Sequence, residues 1–327
     1  MMSKAVFFCR EESFDFALEE IMRLGGMKVK KLAPGAGLVE SAEKDVMSAI
    51  RLSEPLFVRH IHPAEKLVSS EEELVREAAL YAESIPSRRI AVQSVDLTGN
   101  KRDRSLRFSV LDSPAFAGFT SGPEEESVIS VTAAEEGIYL GFSDKNENIT
   151  PRTAGIYRYA FDEGNISRAE FKLTEVFDTL ALDDIAGKDA LDLGAAPGGW
   201  TRVLLGKGAR VTAVDPAKLD PRIESFPNVT HYRGLSQEFL KEHGDRRFAM
   251  LVNDMRMDAR ESVRVTLEAL PLLDEGAWVV ITLKLPEKKS LHVAREALRL
   301  LEEGVDVTYA RQLYHNRSEI TAVGRKR

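Results

Sequence analysis

Two amines and two carboxylates, widely separated in a chain of 327 residues, occupy positions from which they could do chemistry together. Lys172 lies in SRAEFKLTEVF, Asp254 ends LVND, Lys284 ends VVITLK, and Glu319 opens EITAV. If LVND and VVITLK are neighbouring parallel strands, Asp254 and Lys284 stand at their carboxyl ends, where open α/β sheets collect ligands. A lysine crowded by a second ammonium and by a further cation gives up its proton more readily, and can then act as a general base toward a hydroxyl. In this pattern Lys284 is the expected base and Lys172 the expected source of positive charge. Asp254 and Glu319 would hold the two amines in place.

The further cation is suggested by the segment Ala190-Leu-Asp-Leu-Gly-Ala-Ala-Pro-Gly-Gly-Trp200, an apolar strand running into a glycine-rich turn and a helix. Glycines allow close backbone approach to a ligand, and a helix start offers free N–H groups to an anion. The spacing is not the G-x-G-x-x-G of dinucleotide enzymes, and Pro197 removes a donor from the turn. A methionine carboxylate suits this turn better than a pyrophosphate, which points to S-adenosyl-L-methionine. Its sulfonium loses a methyl group by in-line displacement, so the protein has mainly to align the nucleophile and take its proton. The expected cofactor contacts are Asp192, Gly194, Ala195, Pro197, Gly198, Gly199 and Trp200 around the turn. Asp215, ending the next strand, is expected at the ribose hydroxyls, Leu235 and Ser236 after the third strand at the adenine, and Asp254 at the cleft.

The elements that must carry these residues are readable in the second half. Strands DALDL, ARVTAV, 229–233, FAMLVND and AWVVITL alternate with helical segments near 199–206, 236–243, 259–273 and 289–303. Ser167 and Glu170 have capping-box spacing before a helix reaching about Leu180. Only HNRS separates VDVTYARQLY from EITAVGR, too short for a helical crossover, so this pair is expected to be antiparallel. A parallel sheet closed by such a hairpin predicts an α/β, Rossmann-like class I methyltransferase fold with seven strands. The first half predicts strands at 4–9, 56–62 and 89–97, helices at 12–24 and 71–84, and a hairpin of 127–132 with 137–142. Without a strict βαβ rhythm it predicts an α+β domain. The polar stretch 144–165 puts the boundary near 150, giving domains 1–150 and 151–327.

Net charge is −7, all of it in residues 1–150, while 151–327 balances at zero. A polyanion would therefore be met by local patches. Candidates are Arg88-Arg89, the tip Lys101-Arg102-Arg104-Arg107, Lys284 with Lys288-Lys289, and Arg325-Lys326-Arg327. The single cysteine, Cys9, excludes a disulfide framework and a cysteine zinc site, and no metal is expected. There is neither a membrane-length apolar run nor a signal-peptide pattern, so a cytoplasmic protein is expected. No oligomeric state is specified.

SRAEFKL, LDLGAAPGGW, NDM, LKLP and RSEITAVGRK together resemble the FtsJ-type ribose 2′-O-methyltransferases, which use a Lys-Asp-Lys-Glu tetrad. The resemblance assigns that tetrad to Lys172, Asp254, Lys284 and Glu319. LGAAPGGWT, LKLPEKK and ARQLYHNRSEITAV look most like the branch of this family that modifies a cytidine of bacterial large-subunit ribosomal RNA. EPLFVRHIH and VISVTAAEEGIYLGFSDKNENITPRTAGIYR are similar to that branch's N-terminal, THUMP-like RNA-binding domain. The resemblance implies an RNA partner and S-adenosyl-L-methionine as donor. The family's acid after the third strand is absent here. Competing readings are an NAD(P) oxidoreductase, which lacks its fingerprint, and a base-amine methyltransferase, whose Pro-Pro-aromatic loop is replaced by Asn253-Asp254-Met255-Arg256. A non-catalytic RNA-binding assembly factor would not need an intact tetrad.

Overall fold

The computed structural model describes residues 2–85, 87–122 and 125–327. It divides into two compact units, Met1–Tyr157 and Arg158–Arg327. The division falls past residue 150 because the following segment is bonded into the first unit. Gln93 Nε2 donates to the Pro151 carbonyl at 2.7 Å, and the hydroxyls of Thr150 and Tyr157 meet at 3.1 Å.

In the first unit, β1 (Ser3–Phe8), β2 (Lys28–Ala33), β3 (Ala36–Ser41) and β4 (His60–Pro63) form an antiparallel sheet in the order β2-β3-β1-β4. A second, mixed sheet comprises β5 (Lys66–Val68), β6 (Arg89–Asp96), β7 (Thr120–Ser121), β8 (Ser127–Ala134) and β9 (Gly137–Asp144), ordered β5-β9-β8-β6-β7. The helices are α1 (Phe14–Met22), α2 (Val46–Leu52), α3 (Glu71–Ala82) and α4 (Asp103–Leu111). The expected hairpin is β8–β9, and the strand expected from residue 56 begins only at His60. The β2–β3 hairpin and α2 carry no expectation from sequence. The basic tip is only partly a turn, because burial of Leu106 and Val110, one helical turn apart, draws residues from Asp103 onward into α4.

The second unit is one seven-stranded sheet with helices packed against it. Its elements are α5 (Glu170–Thr179), β10 (Asp189–Leu193), α6 (Gly199–Gly206), β11 (Arg210–Val214), α7 (Pro221–Glu224), β12 (Val229–Tyr232) and α8 (Ser236–Glu242). They continue with β13 (Phe248–Asn253), α9 (Ala259–Ala269), β14 (Leu273–Lys284), α10 (Ser290–Leu301), β15 (Val305–Arg311) and β16 (Glu319–Lys326). The order is β12-β11-β10-β13-β14-β16-β15, parallel through β14 and antiparallel in the final pair. Sheet residues Ala190, Met250, Val252, Val280 and Val323 bury against Leu173 and Val176 of α5 and Trp200 and Leu204 of α6. This packing fixes α5 and the glycine turn over the same end of the sheet. Among the described residues no helix is long and apolar enough to cross a membrane.

Candidate active site

Sheet register assembles the chemical groups. Lys284, the last residue of β14, lies directly opposite Glu319, the first of β16. Asn253 ends β13 beside Ile281, so Asp254 emerges next to the end of β14. Asn253 is fully buried: its amide donates to Thr266 Oγ1 at 3.0 Å, and its Oδ1 accepts from the Met255 N–H at 3.0 Å. That brace sets the turn on which Asp254 sits. From α5, Lys172 reaches down onto the same point.

The four side chains close a network. Lys172 Nζ lies 3.1 Å from Asp254 Oδ2 and 2.6 Å from Glu319 Oε1; Lys284 Nζ lies 2.6 Å from Asp254 Oδ1 and 3.0 Å from Glu319 Oε2. Each amine thus meets both carboxylates, and the formal charges cancel. Thr282, two residues before Lys284 on the same strand face, donates its hydroxyl to Asp254 Oδ1. Burial raises the Glu319 carboxyl, but the two lysines overcome this and hold its pKa at about 2. Burial also disfavours the Lys172 charge, and the Asp254 and Glu319 carboxylates outweigh it, leaving Lys172 above the ordinary lysine value. Lys284 is the more open of the two, its side chain 23% exposed against 12% for Lys172.

The tetrad lines a cleft of about 850 Å³ that also takes in the glycine turn, Asp192, Asp215, Leu235 and Ser236. A second cavity of about 600 Å³, bordered by Tyr159, Phe171, Arg202 and Phe226, contains none of the four. Gly194 has φ +74°, and a Cβ there would stand 2.4 Å from Met255 Cγ. A Cβ on Gly199 would stand 2.4 Å from Ser167 Oγ. Gly194 therefore requires glycine, a Cβ at Gly199 would displace the Ser167 hydroxyl, and backbone lines this part of the cleft. Asp192 is 1% exposed and accepts from Thr201 Oγ1 at 2.6 Å. Burial is the main cause raising its carboxyl to about 7, opposed by Thr201 and reinforced by Asp254 and Asp215. Asp215 accepts from the Ala196 and Ala217 N–H groups at 3.0 and 2.8 Å.

The remaining expected residues differ in how far they open to the cleft. Trp200 is 3% exposed and donates Nε1 to the Ala169 carbonyl at 2.8 Å, so its ring belongs largely to the core behind the turn. The Ser236 hydroxyl faces Met255 Sδ at 3.8 Å, while Leu235 is exposed at the start of α8. Glu170 accepts from the Ser167 N–H at 3.1 Å, but Ser167 Oγ gives no cap in return. Lys288 and Lys289 are exposed before α10 and do not line the cleft. The C-terminal basic cluster is already engaged, Arg325 pairing with Asp183 at 2.8 Å over the Trp278 ring and Lys326 with Glu275 at 2.7 Å. Arg89 pairs with Glu125 at 2.9 Å.

Three arginines that the sequence did not single out, outside those clusters, border the cleft. Arg168, Arg256 and Arg317 are exposed and line the cleft, and their guanidinium groups have no ion pair or hydrogen bond among the described residues. Thr201 and Thr282 were equally unannounced, although Thr282 could have been found from its i, i+2 relation to Lys284.

Residues 166–306 match the family model of FtsJ-like methyltransferases. The chain is 33% identical over 198 residues to ribosomal RNA large subunit methyltransferase M of Serratia proteamaculans, covering 56% of this chain and 52% of that protein. It is 37% identical over 101 residues to the protein of the same name from Shewanella frigidimarina, covering 29% of this chain and 28% of that one. The chain thus spans about half the length of the Serratia relative, and the Shewanella match covers less. Among solved structures, a putative hemolysin from Lactococcus lactis is similar at a TM-score of 0.44, with 19% identity over 51% of this chain and 90% of that one. The fibrillarin pre-rRNA processing protein of Methanococcus jannaschii is similar at 0.40, with 15% identity over 60% and 81%. Likenesses this distant carry no argument about function. The match to FtsJ-like methyltransferases falls entirely within the second unit.

Proposed function

We propose that the protein transfers a methyl group from S-adenosyl-L-methionine to a ribose 2′-hydroxyl of RNA, with large-subunit ribosomal RNA as the substrate. The observation that carries this reading is the closed network of Lys172, Asp254, Lys284 and Glu319 in the cleft that also contains the glycine turn. The donor fits the residues present: a floor stripped of side chains at Gly194 and Gly199, with Asp192 and Asp215 at its edge. Bound there, it supplies an activated methyl group and a positive sulfonium.

The protein's own groups divide the remaining work. With both lysines protonated the tetrad is neutral, so one more positive charge in the cleft favours release of a proton from an amine. Asp254 and Glu319 hold Lys172 in its charged form. Lys284, more open to the cleft, is the amine that releases its proton to solvent and then accepts the proton of the hydroxyl. Lys172 keeps its charge next to the oxygen that becomes nucleophilic. Asp254, braced by Thr282, and Glu319 keep both amines in register. Asp192, Gly194, Ala195, Pro197, Gly198 and Gly199 would hold the methionyl end, Asp215 the ribose, and Leu235 and Ser236 the adenine. Arg168, Arg256 and Arg317 supply unpaired positive charge for phosphates, answering the lack of net basicity. The first unit, residues 1–150 with the segment to Tyr157, is assigned to RNA binding as a THUMP-like domain, its exposed Lys101 and Arg104 facing solvent. Action on ribosomal RNA would place the protein in the cytoplasm.

The test is transfer from methyl-labelled donor to ribosomal RNA followed by alkaline hydrolysis. A 2′-O-methyl group blocks cleavage of the adjacent phosphodiester, so label should appear in alkali-resistant dinucleotides. Label confined to mononucleotides would assign the methyl group to a base and remove the ribose reading.

A further inference from the structure

His315 lines the same cleft as the tetrad, four residues before Glu319, and no step above uses it. Its ring is held with unusual completeness. Nδ1 donates to Glu175 Oε2 at 2.8 Å, and the Glu175 side chain is itself only 3% exposed. The imidazole stacks on Tyr159 with centroids 5.0 Å apart, packs against Phe171 at 5.2 Å and meets Tyr314 edge-on at 5.1 Å. The Tyr159 hydroxyl is fixed in turn by donating to Asp178 at 2.7 Å. With Nδ1 committed, the other nitrogen, Nε2, makes no hydrogen bond among the described residues.

A purely structural role does not account for this. Glu175 already ties the loop to α5 by accepting from the backbone N–H groups of Tyr314 at 2.7 Å and His315 at 3.2 Å. The imidazole bond adds little to that tether. What it adds is a defined tautomer and a fixed ring edge, as carboxylate partners do for functional histidines. We propose that His315 is a substrate-contact residue whose Nε2 hydrogen-bonds the sugar–phosphate of the target nucleotide. The sugar–phosphate is favoured over the base because the tetrad must meet the 2′-oxygen, and His315 shares its loop and its cleft wall. Arg317, unpaired and two residues further on, lines the same wall. This inference rests on the RNA reading above.

Two substitutions separate contact from scaffolding. His315→Asn keeps an amide where Nδ1 was, and so can keep the Glu175 bond, but deletes Nε2. His315→Gln does the reverse. If Nε2 touches RNA, the full-length His315→Asn protein shows a raised KM for RNA and kcat/KM lower by roughly 10–100-fold, the scale of one hydrogen bond to a charged or well-placed partner. Affinity for S-adenosylhomocysteine stays at the wild-type value, and His315→Gln recovers part of the loss. Near-wild-type kinetics for His315→Asn, with His315→Gln the defective variant, overturn the contact. Carbethoxylation of the wild-type protein supplies a reading independent of folding in the variants. Substrate RNA should protect His315 from diethylpyrocarbonate, S-adenosylhomocysteine alone should not, and absence of RNA protection also overturns the proposal. The two readings fail differently: a wild-type protein that methylates no RNA removes both, whereas an active wild type with an indifferent His315 removes only this one.

Discussion

Each unit buries a cluster of titratable side chains, and the two clusters treat charge in opposite ways. In the first unit His60 and His62 are sealed between strands. His60 Nδ1 donates to the Thr150 carbonyl at 3.1 Å; His62 Nδ1 donates to the Pro63 carbonyl, and its Nε2 accepts from Thr132 Oγ1, both at 2.9 Å. The rings stand 6.0 Å apart with Phe8 against both. Burial, with His62 adding repulsion at His60, lowers their pKa values to about 3 and about 4, so both are neutral. In the second unit four ionisable groups meet at the lip of a cleft, each amine facing two carboxylates. Desolvating ions is costly, and a protein that can bury neutral rings does so where only packing is needed. The charged cluster stands where a reaction would use it.

The contrast is sharpest under acid. A histidine whose pKa is depressed by folding contributes stability that is complete above its unfolded value, about 6.5, and is lost as pH falls below it. At pH 5 the two rings together should cost the first unit roughly 4 kcal/mol, at about 1.36 kcal/mol per unit for each. Glu319 behaves differently, since its contribution is present above 4.5 and is lost only toward about 2. Hydrogen exchange between pH 7 and pH 4.5 should therefore show the first unit loosening while the second stays closed; the reverse order would undo the comparison. Next in size is Asp254→Asn, which leaves two ammonium groups facing one carboxylate. A loss of about 3 kcal/mol is expected, the lower end for breaking a buried pair because these groups are partly open. Denaturant unfolding of the variant measures it. Gly194→Ala, forced to a positive φ with its Cβ against Met255, should cost about 2 kcal/mol and weaken S-adenosylhomocysteine binding in calorimetry. The smallest effect belongs to a helix cap in the first unit. Ser70 Oγ accepts from the Glu73 N–H at 3.1 Å, and Ser70→Ala should lower stability by about 1 kcal/mol without altering donor affinity.

The charged cluster was legible in the sequence because each member sits beside a feature that declares its place. Asp254 and Lys284 end apolar strands, and Glu319 opens the final strand, which pairs antiparallel with β14 and so stands opposite Lys284. The glycine turn was legible for the same reason, as the only geometry that suits a bare backbone between strand and helix. Partners recruited from other segments left no such trace. Thr201 under Asp192, Glu175 behind His315 and the three unpaired arginines reach these positions only when separate elements meet. The β2–β3 hairpin escaped because KVKKLA is half charged and lies on a sheet edge, where alternation is diluted by exposed lysines. The division falls at Tyr157, a few residues past 150, and polar residues just before it that read as linker are bonded to Gln93 and His60.

The central claim is that Lys284 takes the proton of the nucleophile. Single-turnover methyl transfer by Lys284→Ala, with S-adenosylhomocysteine affinity and melting temperature measured on the same preparation, tests it most directly. The account predicts a rate lower by about 10²–10⁴-fold with donor-site binding intact. Transfer at the wild-type rate by a folded Lys284→Ala protein would contradict it.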